Sequence, residues 1–579
     1  MVYKMSEWDL SDLVSDKKNL PKMLGRLEAL IKKVEGYIKK FTKDISVKEF
    51  NNLIDALEEY DRLSGSLGQF AHLWFSEDTT NKEAIAFKNT MQNIGAEHSN
   101  RLLWFKLNFV KFPKKDCDRL IQSCKKADYD LKLLIKNKDF ILSDAEEKII
   151  NIKDANGITK LKNIYDLLTA SFVFDFRGEK FGQEELLNKV RNPDPAERKD
   201  AYEALFKKYK EYENILGEIY TAVISDWYNE EIKLRGYKTP IAVRNISNDI
   251  DDKAIETLMK VAKKNQKLFQ RYFKLKAKEI GMKRLRRYDI YAPITRAKEK
   301  ISYQEGTELV LNTFKDFSKD FYELADRTFK KKHIHSIIKN GKESGAYNYG
   351  VDPAIDPYIL LTYTDDARSV STLAHELGHG IHFMLAAKKN SIFHVHAALP
   401  IAETASVFSE LLLIEKLKEK KPKLRKQLLF EQLDNAYATI GRQLNFIAFE
   451  MKIHDMAKGN VSTEQIKKVY LDMLREHFGD SVEIPECFAS EWSYISHIFD
   501  RPFYCYAYGF GNLLSFAAFA KYKEEGPRYV DKVVKMLSDG GSKSPRELVK
   551  ELGFDINSEK FWEKGFEVVN DMIDELEKL

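Results

Sequence analysis

The sequence is poor in cysteine: four occur in 579 residues, at positions 117, 124, 487 and 505. None forms a CxxC pair, and Cys117 and Cys124 lie seven apart on a stretch of helical periodicity, so neither a disulfide framework nor a thiolate metal site is expected. Cys505 sits among aromatic residues and reads as a small buried residue rather than a nucleophile. Long apolar runs are missing too. No stretch of about 18 apolar residues is present to cross a bilayer, and the opening Met-Val-Tyr-Lys-Met-Ser-Glu-Trp-Asp has no apolar core for a signal peptide. A cytoplasmic location with no membrane partner is expected. Charge of one sign is also scarce, since 94 Lys and Arg against 89 Asp and Glu leave a net charge of +5. The lysine runs at 330–332 and 418–421 fall in helical patterns and read as solvated faces. Without a basic stripe and interleaved aromatics, no nucleic-acid partner is expected.

What is present is a folded protein, with 44% hydrophobic and 32% charged residues. Its length implies either several structural units or one large fold with two lobes. The helical period dominates: Leu53, Leu57 and Tyr60 mark one apolar face, and 87–107 continues in the same style. Ser143 with Glu146, Ser462 with Gln465, and Ser544 with Pro545 and Glu547 carry the signature of capped helix starts. Strand-like runs are few: 171–176, a lead-in at 345–349, and Tyr-Ile-Leu-Leu-Thr-Tyr at 358–363, which predicts a small sheet just before the chemically informative helix. Asn192-Pro193-Asp194-Pro195 marks a soft boundary near residue 190, giving an N-terminal helical region, 1–190, and a remainder, 191–579. The fold class expected is mainly α.

The decisive stretch is Ser369–Lys388, which contains His375-Glu376-Leu377-Gly378-His379. Histidines four apart lie on one helical face, so two imidazoles converge on a single ion. Glu376 between them suits the general base of a zincin, where zinc lowers the pKa of water and a carboxylate takes the proton. Leu373, Ala374, Leu377, Ile381 and Met384 make this helix apolar, and burying two imidazoles and a carboxylate there calls for a compensating cation. Gly378 and Gly380 each cost about 1 kcal/mol in a helix relative to Ala, which points to close approach of a neighbour or substrate.

A catalytic zinc takes a third protein ligand and keeps one open position. His382 stands seven residues from His375, about 10 Å along the axis, too far to join both partners, and reads as a hydrogen-bonded core or cleft histidine. Glu403, in Leu399-Pro400-Ile401-Ala402-Glu403-Thr404-Ala405-Ser406, shares a helical face with Val407, Leu411 and Ile414 and so points inward. An inward carboxylate is costly alone and stable on a metal. Glu410, two turns on, either holds a ligand histidine or forms an ordinary buried ion pair. The metal set expected is one zinc on His375, His379 and Glu403, a donor set that also accepts cobalt or manganese.

These residues resemble peptidase family M3, in particular its oligoendopeptidase F branch related to thimet oligopeptidase. The likeness runs from about residue 190 to the end. It takes in 357–363, the approach Ser371-Thr372-Leu373-Ala374-His375, the segment 403–410, Arg442-Gln443 with Phe449-Glu450, 497–511, and Phe561-Trp562. The resemblance implies zinc on His375, His379 and Glu403, with Glu376 as general base. It also implies two helical lobes flanking a deep channel that admits short peptides, with 191–579 as the catalytic region. The segment His497-Ile-Phe-Asp-Arg-Pro-Phe-Tyr-Cys-Tyr-Ala-Tyr-Gly-Phe-Gly looks like the family's His/Tyr loop, whose donors stabilise the oxyanion. His497 matches the histidine and Tyr506 the principal tyrosine, with Tyr504 and Tyr508 as rivals.

The function expected is a zinc endopeptidase hydrolysing internal bonds of short peptides, with the strand at 358–363 pairing with the substrate backbone. The alternatives are a zinc exopeptidase or amidase, or an inactive helical peptide-binding protein. Oligomeric state is left open.

Overall fold

A computed structural model describes residues 2–294, 299–459 and 461–579. Most of the chain is helical, with strands of only two or three residues. The expected caps form: the side chains at Ser143, Ser462 and Ser544 each accept the backbone N–H three residues on, and Glu146, Gln465 and Glu547 reach back in return. Among the described residues, no helix is long and apolar enough to cross a membrane.

The chain divides into two compact units, each built from three segments. The first comprises Met1–Lys138, Glu299–Lys420 and Lys521–Phe554, and the second Asp139–Lys298, Lys421–Ala520 and Asp555–Leu579. The expected region 1–190 is therefore shared between them. Its first part is not a separate layer: Leu27 and Ile31, with Leu67, Phe70 and Trp74 of the helix Val47–Glu77, share a core with Tyr358 and Leu360. Within the Asn192–Pro195 stretch, Asp194 caps the helix Pro195–Glu211.

The first unit holds a three-stranded sheet of β1 (Ile334–His335), β2 (Tyr347–Tyr349) and β3 (Tyr358–Leu360), in the spatial order β1-β3-β2. β3 runs parallel to β1 and antiparallel to β2, with Asn348 opposite Ile359. This corrects the expectation for the strand at 358–363. β3 is central, paired on both sides and fully buried, so it has no edge to offer a peptide. The edges belong to β1 and β2, and β2 is the one that lines the cavity over His375 and His379. Against the sheet lies α1 (Ala367–Ala387), which Asp366 opens by accepting the N–H of Ser369 at 2.9 Å. Beside it runs α2 (Thr404–Lys420), preceded by the short helix Leu399–Ala402. Gly378 is what lets them touch: a Cβ there would lie 2.7 Å from the Ala405 carbonyl oxygen and 2.7 Å from the Ser406 Cα.

Candidate metal centre

One helical turn of α1 separates His375 from His379, and their rings stand 4.9 Å apart, nearly perpendicular. Glu403 occupies the residue between the short helix and α2 and turns its carboxylate back onto α1. Its Oε2 lies 3.5 Å from His375 Nε2 and 3.4 Å from His379 Nε2. These contacts are long for charge-assisted hydrogen bonds, which close to about 2.7–2.9 Å. They match a shared tetrahedral ion: with bonds of about 2.0–2.1 Å, neighbouring ligand atoms stand ~3.3 Å apart. All three candidate ligand atoms lie within 4.8 Å of one another.

The surroundings favour a cation. The far nitrogen of His375, Nδ1, is hydrogen-bonded to Glu410 Oε1, which fixes the ring and leaves Nε2 facing Glu403. Burial opposes a charge on His375, but Glu410, Glu376 and Glu403 outweigh it and raise its pKa to about 10. Burial likewise opposes charge on Glu403, yet the two imidazoles and Ser406 hold its pKa at about 2. Ser406 Oγ donates to Glu403 Oε2 at 2.9 Å. Three carboxylates thus face two imidazoles in a partly enclosed space, an acidic surplus that a divalent cation would offset. The residues present fit a four-coordinate metal with one open position.

Glu376 is 5% exposed, and its Oε2 is buried without a protein partner. Burial raises its pKa. His382 is buried as well, 7% exposed, with Nε2 unpartnered and its pKa pushed down to about 3 by burial. A cavity of about 450 Å³ opens over these groups, lined by β2 residues Tyr347, Asn348 and Tyr349 together with His375, Glu376, His379, His382 and Glu403. Asn348 is a cavity residue that no sequence motif marks. Its Nδ2 donates to the Glu376 carbonyl at 3.3 Å, and a Cβ on Gly380 would lie 3.0 Å from that same nitrogen. The signal was there in the glycine: a helix gives up a side chain where a strand edge must come close.

The His/Tyr segment belongs to the second unit. His497 sits on α4 (Ser496–Asp500) and Tyr508 in the first turn of α5 (Tyr506–Glu525). Tyr508 OH and His497 Nε2 are 3.5 Å apart, and both residues are half-buried. Tyr506, the expected donor, is fully buried: its hydroxyl accepts from Asn248 Nδ2 at 2.7 Å and donates to the Arg244 carbonyl at 3.3 Å. Its hydroxyl is spent inside the unit; the Tyr508 hydroxyl lies beside His497 Nε2, and the Tyr504 ring also flanks His497 at 6.0 Å. Tyr504, half-buried, meets the ring of Tyr508 edge-on at 5.5 Å.

The model of peptidase family M3 matches residues 189–568, and the chain belongs to that family; it is a peptidase. Two similar curated proteins are an oligoendopeptidase F homolog of Borreliella burgdorferi and the oligopeptidase PepF of Bacillus subtilis. The first is 27% identical, covering 99% of this chain and 98% of that protein; the second is 24% identical, covering 99% and 87%. The crystal structure of oligoendopeptidase-F from Enterococcus faecium superposes with a TM-score of 0.73 at 21% identity, over 98% of this chain and 99% of that one. At that identity the structural likeness concerns the fold.

Proposed function

We propose that this peptidase is a zinc-dependent endopeptidase that hydrolyses internal bonds of short peptides. The observation that carries the reading is the His375–Glu403–His379 triangle, whose 3.4 and 3.5 Å sides suit one tetrahedral ion. The names of the relatives support the preference for oligopeptides and for internal bonds. His375, His379 and Glu403 would hold the zinc, and Glu410 would orient His375 through Nδ1. Bound there, the ion supplies Lewis-acid polarisation of the scissile carbonyl and lowers the pKa of the attacking water.

The chain's own groups do the rest. Glu376, with one oxygen unpartnered inside the cavity, takes the proton from water and delivers it to the leaving nitrogen. The free edge of β2 lines the same cavity, and an extended substrate adds to it as a further strand. Main-chain pairing of that kind gives affinity with little demand on side chains. His497 and Tyr508 donate to the oxyanion, a role that Tyr506, already hydrogen-bonded at both ends, leaves to its neighbour.

The test is cleavage of fluorogenic peptides of graded length blocked at both termini, with fragments identified by mass spectrometry. Internal cleavage of blocked short peptides, lost on chelation and restored by zinc, is expected. An enzyme that leaves blocked peptides intact and trims only free ends would overturn the endopeptidase reading.

A further inference from the structure

His497 and Tyr508 are joined by a loop, residues 501–505, that contains a strained residue. Phe503 has φ 58°, a left-handed conformation that costs a bulky side chain about 1–2 kcal/mol. It is fully buried, with its ring 4.7 Å from that of His454 and 6.5 Å from that of Trp227. Strain persists only where the surroundings over-determine it, and here the determinants are visible. The Phe503 N–H donates at 2.8 Å to Oε1 of Glu450, a wholly buried residue of α3 (Arg442–Met456). One residue earlier, the Pro502 carbonyl accepts from Arg244 Nε at 3.2 Å. Three residues later, Tyr506 is tied to Asn248 and to the Arg244 carbonyl. The loop is gripped at its turning point, between the helix that carries His497 and the helix that carries Tyr508.

We infer that Glu450 is a positioning residue for the peptidase reaction: by holding the Phe503 N–H it fixes the left-handed turn that sets Tyr508 beside His497. The inference rests on the reading of those two residues as oxyanion donors. Of the two carboxyl oxygens, only Oε1 has a partner, while Oε2 is buried without one. Burial raises the pKa of Glu450 to about 8, opposed by the Phe503 N–H and by Arg244. Near neutral pH the group is therefore largely the neutral acid, and its task is to accept one hydrogen bond. Glutamine offers the same carbonyl oxygen; leucine fills the volume and offers nothing.

Glu450→Leu should lower kcat by roughly 10–100-fold, the scale expected when a catalytic group moves by about 1 Å, while KM and bound metal stay near wild type. Glu450→Gln should restore kcat to within about threefold. Tyr508→Phe added to Glu450→Leu should cost little more, because the hydroxyl it removes is already misplaced. A Glu450→Leu enzyme with wild-type kcat, beside a crippled Tyr508→Phe enzyme, would overturn the positioning role. If Tyr508→Phe and His497→Ala are themselves fully active, it is the oxyanion assignment that fails. A readout independent of any variant is amide hydrogen exchange in the wild-type chain. The Phe503 amide should be protected like those of α3, and exchange at the rate of an open loop would contradict the clamp.

Discussion

The metal centre and the His/Tyr segment are built by opposite means. The first hangs on regular helices: i and i+4 positions of α1 deliver two rings, and a carboxylate arrives from the start of the neighbouring helix across a glycine-made contact. Its geometry follows from periodicity, which any sequence displays. The second hangs on a five-residue turn with a left-handed phenylalanine, held by side chains more than 50 residues away in sequence. Which tyrosines stay half-buried and which is sealed inside is decided by the turn, not by the spacing of tyrosines. Helix-borne sites are stated locally, and loop-borne sites are stated by their clamps.

Breaking the first region should do the most damage. Glu376→Gln is expected to keep its metal and lose about 10²–10⁴-fold in kcat; near-normal turnover would remove Glu376 from the base role. Glu410→Gln should weaken metal affinity by about 10–100-fold, as loss of a ligand's supporting carboxylate does, measured by competition with a chelator of known affinity. An unchanged affinity would make that contact an ordinary ion pair.

Substitutions in the second region sharpen the contrast. Tyr508→Phe should cost about 10–100-fold in kcat with full metal retained, on the scale of losing one oxyanion donor. Tyr506→Phe should chiefly lower stability, by about 1 kcal/mol for one buried hydrogen bond, with a smaller loss of kcat. The reverse order of the two would restore Tyr506 as the donor. The smallest effect on chemistry is expected at the helix contact. Gly378→Ala pushes a methyl against the Ala405 carbonyl and should destabilise the first unit by roughly 1–3 kcal/mol, seen as a lowered thermal midpoint.

Much of this was legible in advance, and the exceptions have physical causes. The helical class, the capped starts and the convergence of His375, His379 and Glu403 follow from spacing and from the cost of burying charge. The run at 358–363 reads as a strand, but its place in the sheet is not legible. A continuous apolar run is what a central strand needs, and that same run disqualifies it as a docking edge. The edge strand β2 reads in the sequence only as a strand-like lead-in, and nothing in Tyr-Asn-Tyr places Asn348 on the cavity. Local motif alignment points to Tyr506, whereas its burial depends on Asn248 and Arg244, about 260 residues earlier. The prolines near 190 mark a helix start, and no local signal marks two units each assembled from three distant segments.

The central claim is that Glu403 completes one cation site with the two histidines. Metal stoichiometry by mass spectrometry on purified wild-type, Glu376→Gln and Glu403→Ala chains tests it most directly. The account predicts about one zinc per chain in the first two and little in the third, since a site reduced to two ligands binds weakly. Full zinc occupancy in Glu403→Ala would contradict it.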